Sequence, residues 1–574
     1  MSDLSNLYSL LQLFELQCAK NTHLPFLHYQ EKGVWEHATW GELSQQSNSL
    51  AAVFASKGIK AGDRILVIAD NSRDWLITEL ATLRLKAILV AGYSQSPADE
   101  WRHILRDSGA RILIADHHLS AEMSIVAAEF KDQLCHSLYI GSSEWEDSIS
   151  QNPATLETQY SIADLDQTVC LIYTSGTGGA SKGVMLSNGN ILNNCRGAAK
   201  TIQPYGLDGN RFLSILPFAH SYAHCADIWT PIYIGAQVFI CNDLKNLNAK
   251  LQYVKPTIMN TIPRLWDILR KQIIARMNGQ GILANQLFTL TLRLGEKKIS
   301  GHKFNLVEML QDLICGLLVR KKIQAKLGGH LVGALVAGAP LAREDAIFFA
   351  ALGINLHQAY GQTECGPGIT MSEVGQLIPG VVGKPMSGME VKLAADGEIL
   401  VRGPNVMKGY WNATDLTAKT IIDGWLHTGD IGGWDENGLL QIQDRKRDFI
   451  KTSGSEMISP QSIEIKFNNF PDIDRVVVYG HGKLFLVAAV IPTIDNIKAL
   501  NSQKLDLYSL EKRINEGIKA VNKTLESKCR IKKFIVIPEE LSIARGTMTP
   551  SLKVRRNRLY ELFSNEFEQL YNSQ

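Results

Sequence analysis

The chain has 574 residues, 45% hydrophobic and 20% charged, with a mean hydropathy of -0.04 and a formal net charge of +2. Its length exceeds one ordinary domain of ~100–200 residues, and its composition excludes disordered and collagen-like chains. The balance of charge supplies no broad positive field, so no nucleic-acid partner is expected and any anion site must be local.

The nine cysteines stand singly, without a Cys-x-x-Cys pair, as expected of a reduced cytoplasmic protein. The opening segment lacks the basic flank and cleavage site of a signal peptide, and no stretch approaches 18 uncharged apolar residues, so no transmembrane segment is expected. Leu4, Leu7, Leu11 and Phe14 are spaced as the apolar stripe of one helix. Its opposite face is not basic, which favours packing on the parent domain over membrane docking. Peripheral membrane contact is left open.

From 60 to 120, short apolar runs (RILVIAD, AILVAGYS, ARILIAD) alternate with amphipathic stretches, the strand–helix rhythm of a parallel sheet. The rhythm returns in LSILPF, QVFICN, TIMNTIP, HLVGALVAGAP and INLHQAY, so residues 1 to about 370 predict one or two doubly wound α/β units, with ligands at the strands' carboxyl ends. Residues 272–325, rich in Leu, Lys and Gly, predict helices inserted before HLVGALVAGAP. Between about 375 and 445 the texture changes to Gly- and Pro-punctuated short strands, which predict a small antiparallel barrel or sheet. After that, VVVYG, FLVAAVIP and FIVIP with intervening helices predict a small α+β module. The expected organisation is an N-terminal domain over 1–445, with a β-barrel-like subdomain at about 375–445, and a C-terminal domain over 446–574.

The segment LIYTSGTGGASKGVMLS (171–187) follows an apolar run and concentrates hydroxyls, glycines and one lysine. Glycines let backbone N–H groups approach phosphate oxygens, Thr174, Ser175 and Thr177 add hydroxyl donors, and Lys182 adds a mobile positive charge. A Walker loop would need Gly immediately before Lys182 and Ser or Thr after it, where Ser181 and Gly183 stand. A P-loop NTPase is therefore disfavoured.

YTSGTGGASKGV resembles the signature of adenylate-forming enzymes, usually written YTSGTTGxPKGV, with Gly178 in place of a hydroxyl residue and Ser181 in place of proline. The resemblance runs from about residue 25 to 560 and includes LPFAHSYAH, KPTIMNTIPRLWD, AGAPL, AYGQTECGP, GWLHTGD and DRKRDFIKTSGSEMISP. The LPxAHSY form, the IPRLWD block and the insertion before GGHLVGALVAGAPL are similar to the long-chain fatty acyl-CoA synthetase branch. That resemblance implies activation of a long-chain fatty or related carboxylic acid with ATP and Mg2+ as an acyl-adenylate, followed by transfer to coenzyme A. A carrier-protein thiol as acceptor, and a catalytically weak acyl-nucleotide binding protein, stay open as alternatives.

By the same resemblance, Thr174, Ser175, Gly176, Thr177, Gly178, Gly179 and Lys182 hold the polyphosphate. Glu364, with Thr363 beside it and Thr174 on the loop, serves Mg2+. Tyr360 with Gly361 covers one face of adenine, and Gly338, Ala339 and Pro340 form the other wall. Asp430 takes the ribose diol, supported by Arg445, and His220 is either a gate beside the acyl carboxylate or a satisfied core histidine. Arg447 lies at the family hinge, and GTMTPSLKVRRNRLYELF places Lys553 as the catalytic lysine of a mobile C-terminal domain, with Leu552 replacing a glycine of the usual pattern.

Overall fold

The structure is a computed structural model that describes residues 6–151, 153, 160–174, 180–375, 378–454, 456–468, 470–549 and 553–572. It divides into two compact units, one of Met1–Lys392, Leu400–His427 and Glu436–Leu440 and the other of Leu393–Ile399, Thr428–Asp435 and Gln441–Gln574.

In the first unit, the apolar runs after residue 60 form the parallel strands Arg64–Ile68, Ile88–Gly92 and Ile112–Asp116. They read as near-continuous apolar runs because both faces of such a sheet are covered. The intervening helices start and stop where their residues dictate: Ser72 Oγ accepts from Trp75 N at 3.0 Å, and Gly109 at φ +61° ends Ala98–Ser108. The whole sheet has seven strands, in the order Gly409–Tyr410, Lys182–Ser187, Thr168–Thr174, Ile88–Gly92, Arg64–Ile68, Ile112–Asp116 and His136–Ile140.

A second sheet has nine strands. Leu356–Gly361, Gly333–Val336, Ile258–Thr261, Arg211–Ser214, Gln237–Ile240 and Pro25–Glu31 lie side by side and parallel, with antiparallel strands at both edges. The N-terminal hairpin thus crosses to this sheet, with Leu27 opposite Val238. Trp266 and Phe349 pack edge-on beneath it at 4.8 Å, and the buried Trp266 indole donates to Thr261 Oγ1 at 2.8 Å. The expected N-terminal helix forms over Leu10–Asn21 and buries Leu11 and Phe14, with Leu7 buried just before it. Leu4 lies outside the described residues.

The insertion is helical as expected: Pro263–Asn278, Ile282–Ile299, then Leu306–Cys315 running on through a π-helical turn, Gly316–Arg320, into Lys321–Lys326. The Gly- and Pro-punctuated stretch gives an open sheet in the order Glu390–Leu393, Glu398–Arg402, Trp425–Trp434, Ile421–Ile422, with Leu440–Arg445 also on Trp425–Trp434. Of the two expected forms, barrel or sheet, it takes the sheet.

In the second unit, Leu486–Pro492 pairs antiparallel with Ile473–Tyr479 and parallel with Ile531–Val536. Its residues alternate between two cores. Leu486, Ala488 and Val490 face the helix Leu507–Lys523, whose Leu510, Ile514, Ile518 and Val521 follow helical spacing, while Val487, Ala489 and Ile491 share the opposite core with Leu559 and Phe567.

Candidate active site

The strand Thr168–Thr174, third in the seven-stranded sheet, runs antiparallel to Lys182–Ser187, with Thr174 directly opposite Lys182. Ser175, Gly176, Thr177, Gly178 and Gly179 lie outside the described residues. At the loop's return, the Ser181 carbonyl meets His103 Nε2 at 2.7 Å.

Strand Lys182–Ser187 pairs on its other edge with Gly409–Tyr410, and this brings Tyr410 into the site. Lys182 Nζ lies 5.6 Å from the Tyr410 ring centroid, within cation–π range. The Tyr410 hydroxyl donates to Glu364 Oε1 at 2.8 Å, and Met407 N donates to the Glu364 carbonyl at 2.9 Å. Lys182 and Glu364, 182 residues apart in sequence, are thereby linked through one tyrosine that the sequence reading did not single out. The only local signal was the aromatic pair in KGYW, unremarkable inside a Gly-rich stretch.

The other candidates of this unit follow the carboxyl ends of neighbouring parallel strands, where open α/β sheets bind ligands. His220 comes after Arg211–Ser214, Gly338, Ala339 and Pro340 after Gly333–Val336, and Tyr360 to Glu364 at the end of Leu356–Gly361. Gly338 has φ +84° and, like Ala339, is exposed. Gly361 has no room for a side chain, since a Cβ there would stand 2.0 Å from the Pro367 carbonyl oxygen. The Thr363 and Ser221 hydroxyls are hydrogen-bonded at 2.9 Å, which joins the QTE block to the HSY block.

Two histidines of LPFAHSYAH separate cleanly. His224 is the core histidine, 2% exposed, with Nε2 at 2.6 Å from the equally buried Glu79 carboxylate, which also accepts from Trp229 Nε1 at 2.9 Å. His220 is half-buried and its Nδ1 accepts from Tyr222 N at 3.1 Å, capping a short turn. The Tyr222 hydroxyl reaches the Leu335 carbonyl at 3.1 Å.

Behind these turns an apolar cavity is lined by Ile202, Phe212, Ile258, Leu335 and Met371, with Asn260 among its few polar groups. Asn260 Nδ2 donates to Asp227 Oδ1 at 2.6 Å, and Ser214 Oγ donates to Asp227 Oδ2 at 2.9 Å. Burial pushes the Asp227 carboxyl up to about 7, against the lowering effect of both hydrogen bonds. A lone aspartate in the apolar run HCADIW was the available sign of this buried polar group.

In the second unit, the Asp430 side chain is 7% exposed, with Arg445 Nε at 3.4 Å from its Oδ1. Two neighbouring contacts hold this corner: Gly429 N donates to Glu398 Oε1 at 3.0 Å, and Lys446 Nζ reaches Glu398 Oε2 at 2.9 Å. Arg447 follows, exposed. Burial raises the nearby Asp444 carboxyl, although it accepts from Ser459 Oγ at 2.5 Å and Gln461 N at 3.1 Å.

Lys553 is exposed on a narrow ladder: Thr549 N donates to its carbonyl at 2.8 Å, its own N–H donates to Thr549 Oγ1 at 3.0 Å, and Met548 is bridged to Val554. Leu552 lies outside the described residues. The arginines that follow do not act as one basic face. Arg556 is spent internally, forked onto Glu464 at 2.6 and 3.0 Å and onto the Val478 carbonyl at 2.9 Å, while Arg558 pairs with Glu561 at the surface.

Residues 14–411 match the AMP-binding enzyme family, and residues 447–574 match the AMP-binding enzyme C-terminal domain. The chain belongs to the AMP-binding enzyme family. It is 30% identical over 565 residues to the long-chain-fatty-acid–CoA ligase FadD15 of Mycobacterium bovis, covering 94% of this chain and 93% of that one. It is 28% identical to long-chain-fatty-acid–CoA ligase 5 of Rattus norvegicus, covering 100% of this chain and 89% of the relative. Its fold is that of a solved anthranilate CoA ligase, AuaEII, in complex with anthranoyl-AMP, with a TM-score of 0.74 at 20% identity over 98% of both chains. As in the sequence expectation, this is an α/β AMP-binding enzyme with a large sheet-built N-terminal part and a small C-terminal one. Among the described residues, no helix is long and apolar enough to cross a membrane.

Proposed function

We propose that this chain joins ATP and a long-chain fatty acid to give acyl-AMP and pyrophosphate, then transfers the acyl group to coenzyme A with release of AMP. The observation that carries the reading is similarity to long-chain-fatty-acid–CoA ligases along 94% of the chain, spanning both family regions. The convergence of the phosphate-loop lysine, Tyr410 and Glu364 supports it in the first unit.

In the first half-reaction a carboxylate oxygen attacks the α-phosphorus and the bond to pyrophosphate breaks. Lys182 and the loop's hydroxyls and N–H groups hold the polyphosphate, and Lys553 stabilises charge on the α-phosphate where it grows in the transition state. Tyr360 and the Gly338–Ala339–Pro340 backbone enclose adenine, and Asp430, steadied by Arg445, accepts from the ribose hydroxyls. In the second half-reaction the thiol sulfur attacks the acyl carbonyl and AMP leaves, after a rotation at Arg447 that withdraws Lys553. His220, beside Ser221 and Thr363, stands at the entry for the acyl carboxylate.

Mg2+ fits the donor set. Among the described residues no group of three His, Cys, Asp or Glu could hold a metal alone, whereas Glu364 offers one half-buried carboxylate held by Tyr410. That suits an ion whose remaining ligands are substrate phosphates and water. Bound there beside Thr363 and Thr174, it would neutralise polyphosphate charge. The apolar cavity behind Tyr222 is the start of the tail site.

The test is incubation of purified protein with Mg-ATP and a series of fatty acids, with and without coenzyme A, following pyrophosphate, AMP, acyl-AMP and thioester by mass spectrometry. Thioester formed only with coenzyme A is the expected outcome. Acyl-AMP without thioester would move the acceptor to a carrier-protein thiol, and nucleotide binding without any adduct would leave a binding role.

A further inference from the structure

The inserted helix Leu306–Cys315 and the turn after it are oriented against the usual rule for a helix at a water-facing surface, whose apolar stripe faces the core. Leu306, Val307, Leu310, Leu313, Leu317 and Leu318 are 84%, 65%, 60%, 60%, 50% and 49% exposed. The charged residues of the same stretch point inward: Glu308 meets Lys297 at 2.8 Å and Asp312 meets Arg320 at 2.6 Å. Only Cys315 and Val319 of this segment are buried. The exposed ridge is ~20 Å long at helical rise and is contiguous, unlike the scattered single apolar residues of ordinary surfaces.

The charge around the ridge selects its occupant. Residues 272–325 carry eight Lys and Arg against three Asp and Glu, a net +5 in a chain whose total is +2. Two of the three acids are held in the inward ion pairs. Arg276, Arg293, Lys298, Lys303, Lys321 and Lys322 are exposed, against Glu296 alone among the acids. Lys298 and Lys303 precede the ridge, and Lys321 and Lys322 follow it. A second copy of this face would set like charge against like. A bilayer with anionic headgroups accepts both parts, leucines at the headgroup–acyl boundary and lysines among the phosphates.

We propose that the ridge Leu306–Leu318, with its flanking lysines, docks this protein on an anionic lipid surface. The geometry is that of an interfacial helix lying in the membrane plane, not of a span. It concerns where the molecule sits and is independent of the reaction it catalyses.

The test is co-sedimentation of the full chain, without substrates, on phosphatidylcholine vesicles with and without phosphatidylglycerol, at low and high salt. Binding is expected with phosphatidylglycerol and should weaken as salt screens the lysines. The combined variant Leu310→Ser, Leu313→Ser, Leu317→Ser should bind ~30-fold more weakly or worse, with an unchanged melting temperature because the three side chains are exposed. Lys303→Gln with Lys321→Gln and Lys322→Gln should weaken binding only to the anionic vesicles. Hydrogen exchange across 306–318 should slow when vesicles are added. Absence of vesicle binding, equal binding by the leucine variant, or dimers that this variant disperses while wild type ignores lipid would each overturn the proposal.

Discussion

Replacing Asp227 by Asn isolates one buried carboxyl. Its group titrates at about 7 in the folded protein and near ~3.9 when unfolded. A folded pKa above the unfolded one means that the folded state holds the extra proton between these values, so stability falls as pH rises through that window and is level above it. Between pH 5 and pH 8 the loss is about 3 kcal/mol at ~1.4 kcal/mol per pH unit. Asn at 227 can accept from Asn260 and donate to Ser214, so it keeps both contacts without titrating. The assay is the melting temperature of each protein from pH 4 to 8.5, with the wild-type curve subtracted, so that all other titrating groups cancel. Asp227→Asn should gain on wild type by about 3–4 °C between pH 5 and pH 8, taking ~2.1 cal/mol/K per residue over roughly 400 residues melting as one unit. Parallel curves would refute the reasoning, because a carboxyl that is ionised in both states contributes no pH dependence.

Tyr410→Phe removes a hydrogen bond onto the Glu364 carboxylate, about 1.5–3 kcal/mol for a charged acceptor. Pyrophosphate release should fall ~10–150-fold with a higher Mg2+ requirement, and unchanged rates at all Mg2+ concentrations would remove Tyr410 from the site. Lys553→Ala should slow adenylation by ~10²–10³-fold, read as pyrophosphate release, while thioester formation from supplied acyl-AMP is less affected. Each CH₂ added to the fatty acid should tighten binding by ~0.8 kcal/mol, or ~15-fold per two carbons, until the tail site is full. Ala198→Phe, at the cavity wall, should shift the preferred chain shorter, and an unchanged preference would place the tail elsewhere.

The parallel strands were legible because strands covered on both faces carry unbroken apolar runs. The runs overshoot the strands at their carboxyl ends: LSILPF predicts a strand through Phe218, whereas pairing stops at Ser214, and the next residues enter the turn that leads to His220. Apolar sequence there belongs to a partly buried turn, which periodicity cannot distinguish from sheet. The N-terminal stripe and the inserted helix show the same limit differently. Both have helical spacing, yet Leu11 and Phe14 are buried while Leu310 and Leu313 face outward, and the direction depends on what the fold packs alongside. The candidate site residues were picked out through blocks with a chemical logic. Tyr410 was not, because its relation to Lys182 and Glu364 arises only from the pairing of Gly409–Tyr410 with Lys182–Ser187.

The pairing of Thr174 with Lys182 also bears on how the proposed site would hold a polyphosphate. In a strand–loop–helix nucleotide site, the helix that follows the loop aims its N-terminal N–H groups and the positive end of its macrodipole at the phosphates, a contribution fixed in the backbone. Here the loop returns into a strand, whose dipoles largely cancel, and the next helix, Asn188–Ile202, begins a strand's length away. In the proposed function the attraction therefore rests on the loop's own N–H groups and hydroxyls and on Lys182, rather than on a helix end. Nucleotide affinity at this loop should accordingly be more open to tuning by a single lysine modification, such as acetylation, than affinity anchored on a helix end.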